Sequence, residues 1–231
     1  MTAIEMVAWS IAKTLQATLT GRLLQLQLAR RYRAFLFFLV VSLLRSLALA
    51  TYGSESLERY VQVWNWSTAP VLIALTLAVY ELHQQVLAHC KPLKFPTAVT
   101  VLMFVIALVA CLATMESVTW RSSVTASYTA TRFVSGSLAI WLLFHAAFFP
   151  KIEPPLPSNL MAHGYILTLY LISEAGAYAV INLLAPTAPT LNVATMGING
   201  AFFSAWLIAM RREHPSPVHQ PDTQPHDGHE D

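Results

Sequence analysis

Residues 30–52 read RRYRAFLFFLVVSLLRSLALATY. Arg30, Arg31 and Arg33 stand in front of an apolar run in which Arg45 is the one charged residue. A membrane-spanning helix needs about 20 mainly apolar residues. The stretch therefore predicts a transmembrane helix, anchored by basic residues at one end and carrying a guanidinium inside. Turning that guanidinium to lipid would cost about 2.5–3.5 kcal/mol on the insertion scale. Its depth also makes escape to the headgroups difficult. Arg45 is expected to face other protein, so the helix needs a bundle around it.

The rest of the chain has the composition of such a bundle. Of 231 residues, 55% are hydrophobic and 11% charged, with a mean hydropathy of +0.52. Soluble domains carry about 25% charged residues. The net charge of +2 is too small for a nucleic-acid footprint. Six segments are long and apolar enough to span, at roughly 34–52, 62–88, 95–115, 124–149, 160–185 and 192–210. Turn and cap residues separate them. In PKIEPPLPSN (150–159) the prolines break the helix, and Ser158 or Asn159 is placed to cap the next one.

The stretch 3–28 carries Glu5, Lys13 and Arg22. Ile4, Ala8, Ile11, Leu15, Leu19, Leu23 and Leu26 form one stripe, and Glu5, Trp9, Lys13, Gln16 and Thr20 form another. A seventh spanning helix with its polar face turned into the bundle fits this pattern. A helix lying in the membrane interface fits it too. The expected fold is all-α: a polytopic transmembrane helix bundle over 1–212, with seven helices, or six if the first is interfacial. The polar tail 213–231 is expected to be disordered and cytoplasmic.

Basic residues give the expected orientation. Arg30, Arg31, Arg33, Lys91, Lys94, Lys151, Arg211 and Arg212 fall on one side, and Arg59 and Arg121 on the other. Eight against two makes the first side cytoplasmic by the positive-inside rule. The C-terminus is then cytoplasmic, and the N-terminus periplasmic if the first helix spans. Cys90 and Cys111 fall at opposite faces of the bilayer, so no disulfide is expected.

Arg45, Glu81, Arg132 and Glu174 are the charged residues inside the six clear spans. At 1.5 Å per residue, Arg45, Glu174 and Arg132 lie about 17, 21 and 25 Å from the cytoplasmic edge. An inward group of Arg45, Glu174 and Arg132 near the midplane is expected. Arg45 should meet Glu174 directly or through water. Helical spacing adds Tyr170 and Tyr178 to the Glu174 face, Thr125, Tyr128 and Ser135 to the Arg132 face, and Asn192, Thr195 and Asn199 to the last helix. Arg45, Arg132, Glu174, Tyr170, Tyr178 and Asn199 are the candidates for a buried polar or ligand site. One reading makes the charges a lock between helices. The other makes them a site for a small, anionic solute, because two arginines exceed one carboxylate. Gly197, Ala201 and Ala205, and Gly200 with Ser204, are small residues at a spacing that suits close helix contact.

Glu81, His83, His145 and His163 share a depth near the cytoplasmic edge and form a weaker candidate, a metal or haem site. No cofactor is expected from motifs: H-E-x-x-H, G-x-S-x-G and P-loop patterns are missing, and the last helix has no lysine to hold a retinal. No catalytic residue emerges. Tyr60, Trp64, Trp66 and Trp120 read as an aromatic belt at the outer boundary.

The runs RYRAFLFFLVVSLLRS (31–46) and YVQVWNWSTAPVLIALTLAVYELHQQVL (60–87), with Trp66, Pro70 and Glu81, resemble small heptahelical membrane proteins of bacteria. They are also similar in hydropathy to the seven-helix sensor modules of bacterial histidine kinases. The resemblance implies seven helices in a bacterial inner membrane and transfers no active residues. No kinase follows Arg212. Expected partners are the lipid bilayer and a small ligand, without nucleic acid. The function expected is a small non-catalytic sensor or accessory protein. The alternatives are a transporter or channel for a small, anionic solute, and an intramembrane metal or haem protein.

Overall fold

The computed structural model describes residues 2–52, 56–89, 123–148, 156–184 and 189–211. These residues form six α-helices and no strand: α1 (Ala3–Gln25), α2 (Arg33–Tyr52), α3 (Leu57–His89), α4 (Ser123–Phe148), α5 (Ser158–Leu184) and α6 (Pro189–Ala209). A 3-10 turn at Leu28–Arg30 joins α1 to α2. The expected span at 95–115 and the tail 213–231 lie outside the described residues.

Side-chain contacts fix the direction of each helix. Ser127 donates to Asn65 at one end of the α3–α4 pair, and His83 meets His145 at the other. Both pairs are 62 residues apart, so α3 and α4 run parallel and in register over about 27 Å. The first and last helices are parallel as well. Arg22 donates to the Met210 carbonyl, a separation of 188 residues, and Ala12 packs on Gly200 at the same separation. The remaining neighbours are antiparallel: α1 with α2 through Gln16 and Leu39, α2 with α3 through Arg45 and Thr68, α4 with α5 through Ser135 and Glu174, α5 with α6 through Asn159 and Arg211. The six helices close into a ring in chain order, with α1 packed on α6.

α1 is a stave of this ring, with its polar stripe turned inward. Glu5 and Gln16 are buried while Ile4 and Ile11 are 70% and 56% exposed. Gln16 is satisfied by donating to the Leu39 carbonyl at 3.0 Å. Leu19 and Leu23 of the apolar stripe, at 0% exposure, are buried with them. Large apolar side chains face outward on every helix: Val7, Phe37, Leu44, Ile73, Ile140, Leu169 and Ile208 among them. Soluble proteins rarely expose so much apolar surface. Arg33–Tyr52, Glu58–His89 and Ser127–Ala147 are long and apolar enough to cross a membrane. Among the small residues of α6, Gly200 makes the close approach. A Cβ there would lie 3.7 Å from Leu15 and 3.9 Å from Ala12, so an alanine fits and a longer chain crowds α1. Gly197 and Ala201 are exposed.

Helix ends at the arginine-rich side are closed by neighbours. Tyr32 precedes α2 and has no side chain suited to capping. Glu81 of α3 takes that role, accepting from the Ala34 and Phe35 amides at 3.1 and 3.3 Å. Gln85 donates to the Arg31 carbonyl one turn further on. Asn159 at the start of α5 donates to the Arg211 carbonyl at 2.6 Å and accepts from its amide at 3.1 Å. Glu81→Ala uncaps α2 and is expected to destabilise by about 1–2 kcal/mol, the upper range for losing a helix cap. Glu81→Gln, which keeps an acceptor, should lose less. Thermal unfolding in detergent reads both, and equal stability of Glu81→Ala and the parent would refute the cap.

Candidate functional site

Among the described residues, the arginine-rich end holds a plug of large apolar side chains: Leu19 and Leu23, Phe35, Phe38 and Leu39, Leu75 and Leu82, Leu142, Leu160 and Leu167, Trp206 and Met210 are all below 2% exposed. Gln16, His83, Asn159, His163 and Thr168 are buried at this end as well. Toward the opposite end the buried polar residues described are Glu5, Ser46, Thr68, Thr129, Thr131 and Ser135, with Ala12 and Val71 near them.

A charged and aromatic cluster sits above the plug. On α2, Arg45 stacks its guanidinium on the Trp64 ring at 3.9 Å and donates to the Thr68 hydroxyl at 3.3 Å. Trp64 and Thr68 are one helical turn apart on α3, so one face of that helix presents a ring and an acceptor together. On α5, Glu174 accepts from Ser135 at 3.0 Å and from the Tyr170 hydroxyl at 3.4 Å. On α1, Lys13 donates to Gln16 at 3.0 Å. The charges of Arg45 and Lys13 both act on Glu174. Tyr60, Trp64, Tyr128 and Tyr178 follow one another in ring contact at 6.1, 5.6 and 5.5 Å. Lys13, Arg45, Trp64, Tyr128, Glu174 and Tyr178 all keep accessible surface although they point inward. They form a half-buried polar and aromatic cluster.

This arrangement corrects several expectations. Arg45 does face inward, but no direct ion pair joins it to Glu174. Its nearest partners are Trp64 and Thr68. Arg132 does not join the cluster by a hydrogen bond; its guanidinium lies 4.7 Å from the Phe133 ring centroid. Asn199 is half-buried on α6 and has no hydrogen bond to these residues. Tyr170 and Tyr178 belong to the cluster as expected. Trp64 leaves the outer belt and becomes a wall, while Trp66 faces outward at 83% exposure. Trp120 lies outside the described residues. Lys13 is the cation that took Arg132's place; its position in the polar stripe of α1 was the signal for it.

The histidines do not converge. His145 donates from Nδ1 to the Trp141 carbonyl, so its Nε2 accepts from His83 Nδ1 at 2.8 Å. His163 lies elsewhere, in the aromatic core with Phe35 and Trp206, and accepts the indole N–H of Trp206 at 3.1 Å. Glu81 is the cap of α2. Among the described residues no three His, Cys, Asp or Glu side chains form a metal-holding group. No family model, curated protein or solved structure matches the chain.

The Arg45–Trp64 stack should be the strongest coupling in the cluster. A double-mutant cycle of Arg45→Met and Trp64→Leu, read by thermal unfolding, is expected to give about 1–2 kcal/mol, as for a desolvated cation–π pair. Additivity of the two substitutions would show that the contact carries no energy.

Proposed function

We propose that the chain is a multi-pass membrane protein of seven crossings, acting as a small non-catalytic sensor or accessory protein whose ligand site is the inward cluster around Arg45 and Glu174. The placement of these charges among Trp64, Thr68, Ser135 and Tyr170 carries this reading. A channel or transporter needs a polar route at both faces, and the large apolar side chains packed at the arginine-rich end, Phe35, Phe38, Leu160 and Trp206 among them, favour the sensor.

Helix directions support the seven crossings. α1, α3, α4 and α6 run one way, and α2 and α5 the other. The ends of α3 and the start of α4 are therefore at opposite ends of the bundle, and a return crossing at 95–115 completes the alternation. The basic residues Arg22, Arg31, Arg33 and Arg211 gather at the plugged end, which supports a cytoplasmic plug and a C-terminus on that side. The N-terminus is then periplasmic. The bacterial inner membrane and the sensor role also draw on the resemblance to heptahelical sensor modules.

The experiment is cysteine labelling from each side, in a background with Cys90→Ser and Cys111→Ala. Tyr128→Cys should react with a membrane-impermeant thiol reagent applied from the outer side and not from the cytoplasmic side. Leu39→Cys, in the plug, should react from neither. Labelling of Tyr128→Cys from the cytoplasmic face, or of Leu39→Cys from either face, would replace the sensor reading with a pore.

A further inference from the structure

We infer that the arginine-rich end carries a groove between α2 and α3 that holds one anionic glycerophospholipid; this goes beyond the sensor reading and uses only its membrane placement. Among the described residues, an open groove of about 490 Å³ lies between the start of α2 and the last turns of α3. Ala34, Leu77 and Ala88 form its apolar bed, and Arg31, Gln84 and Gln85 its polar rim. Tyr80 and Glu81 complete it. Leu77 and Tyr80 are 44% and 50% exposed, so the groove opens outward from the bundle.

The charge around it is positive. Arg30, Arg31 and Arg33 stand at this edge against Glu81, and Arg30 and Arg33 are exposed. The acid is already engaged. It accepts from the Ala34 and Phe35 amides at 3.1 and 3.3 Å, and the Arg33 charge acts on it. His89 turns back to donate to the Gln85 carbonyl at 2.8 Å. Lys91 and Lys94, next in the chain, lie outside the described residues. Gln85 holds Arg31 twice, donating to its carbonyl and accepting from its Nε at 3.4 Å. The guanidinium is thereby fixed at the rim. Guanidinium groups recognise phosphate by charge-assisted hydrogen bonds, and basic pockets between helices at a membrane edge are where anionic headgroups dock.

The bed calls for a lipid and not a free phosphate. One turn from Ala34 and from Leu77 toward the middle of the bundle, Phe37 and Ile73 are 50% and 60% exposed, so the apolar track continues. From Gln84 to Ile73 the track runs about 16 Å along α3. That is one leaflet's share of a hydrocarbon core about 30 Å thick. A phosphate at Arg31 would place an acyl chain along it, and a free phosphate would leave it bare. The ammonium of a zwitterionic headgroup would stand beside the arginines with the nearby acid already taken by backbone amides. A glycerol headgroup instead brings hydroxyls to the exposed Gln84 amide and the Tyr80 hydroxyl.

Native mass spectrometry of the full-length protein in detergent micelles tests this, with phosphatidylglycerol, phosphatidylcholine and phosphatidylethanolamine of identical acyl chains added at equal concentration. One phosphatidylglycerol should be retained at least about fivefold over either zwitterionic lipid, the weight of one arginine against an anionic lipid. Arg31→Gln should remove that preference. Ala88→Trp, at an exposed position, keeps every charge but fills the groove and should lose it too. Arg59→Gln, at the opposite end, should leave it unchanged, and excess glycerol 3-phosphate should not displace the lipid. Equal retention of the three lipids would overturn the inference. So would a preference that survives both Arg31→Gln and Ala88→Trp, or one that Arg59→Gln lowers equally. Displacement by glycerol 3-phosphate would overturn the lipid in favour of a free phosphate. The ranking is read on the parent protein, so it stands even if a variant misfolds. Retention in micelles does not depend on ligand access to the inward cluster, so labelling that removes the sensor reading leaves this inference in place.

Discussion

Three of the helices are long and apolar enough to cross a membrane, and a helix in hydrocarbon has to find partners for its polar groups inside the protein. That constraint organises the structure. It turns Glu5, Lys13 and Gln16 on α1 inward beside Leu19 and Leu23, while Ile4 and Ile11 face out. It brings Arg45 to Trp64 and Thr68, and Glu174 to Ser135 and Tyr170. Threonine and serine hydroxyls that have no cross-helix partner return to the carbonyl one turn back, as Thr131, Thr168 and Ser204 do. Apolar side chains cover the exterior of all six described helices as well as their core.

The helix ends follow the same logic. A helix terminus leaves amides or carbonyls open, and here neighbouring helices close them. Glu81 caps α2, Asn159 pairs with both backbone groups of Arg211, and Arg22 holds the Met210 carbonyl. All three sit at the end filled by Phe35, Phe38, Leu160 and Trp206. Packing and capping reinforce one another there. Among the described residues, the cross-helix ties of the other half run through Arg45 with Thr68, Ser127 with Asn65 and Ser135 with Glu174.

Much of this was legible in the sequence. Span positions follow from hydropathy, and the inward turn of Arg45 follows from the cost of the alternative. The depths of Arg45 and Glu174 put them in one layer, where their charges do act on each other. The periodicity of α5 placed Tyr170 and Tyr178 beside Glu174. What one-dimensional spacing could not give was rotation and partner. Arg132 shares a helical face with Tyr128 and Ser135, yet its long side chain lies against Phe133 instead. Trp64 and Trp66 looked equivalent at a boundary, but two residues turn a helix by about 200°, which sends one inward and the other out. Glu81 read as a metal candidate because its histidine neighbours were visible and the open end of α2 was not. The in-register parallel pairs, α1 with α6 and α3 with α4, depend on ring closure, for which no local pattern codes.

Arg45 and Glu174 are the part of the structure that stability alone does not explain. Two opposite charges in one buried layer gain most by forming a direct bidentate pair, which satisfies both at once. Here each is held apart on neutral partners: the guanidinium on an indole face and a threonine, the carboxylate on a serine and a tyrosine. Lys13 adds a second cation instead of a second acid. The Nε of Arg45 is buried and unpaired, as Arg22 Nε is at the other end of the bundle, and such a group costs about 1–3 kcal/mol. Proteins break local rules of this kind mostly where function requires it. At Arg45 the cost falls beside Trp64 and its ring neighbours Tyr60 and Tyr128, where an acceptor would remove it.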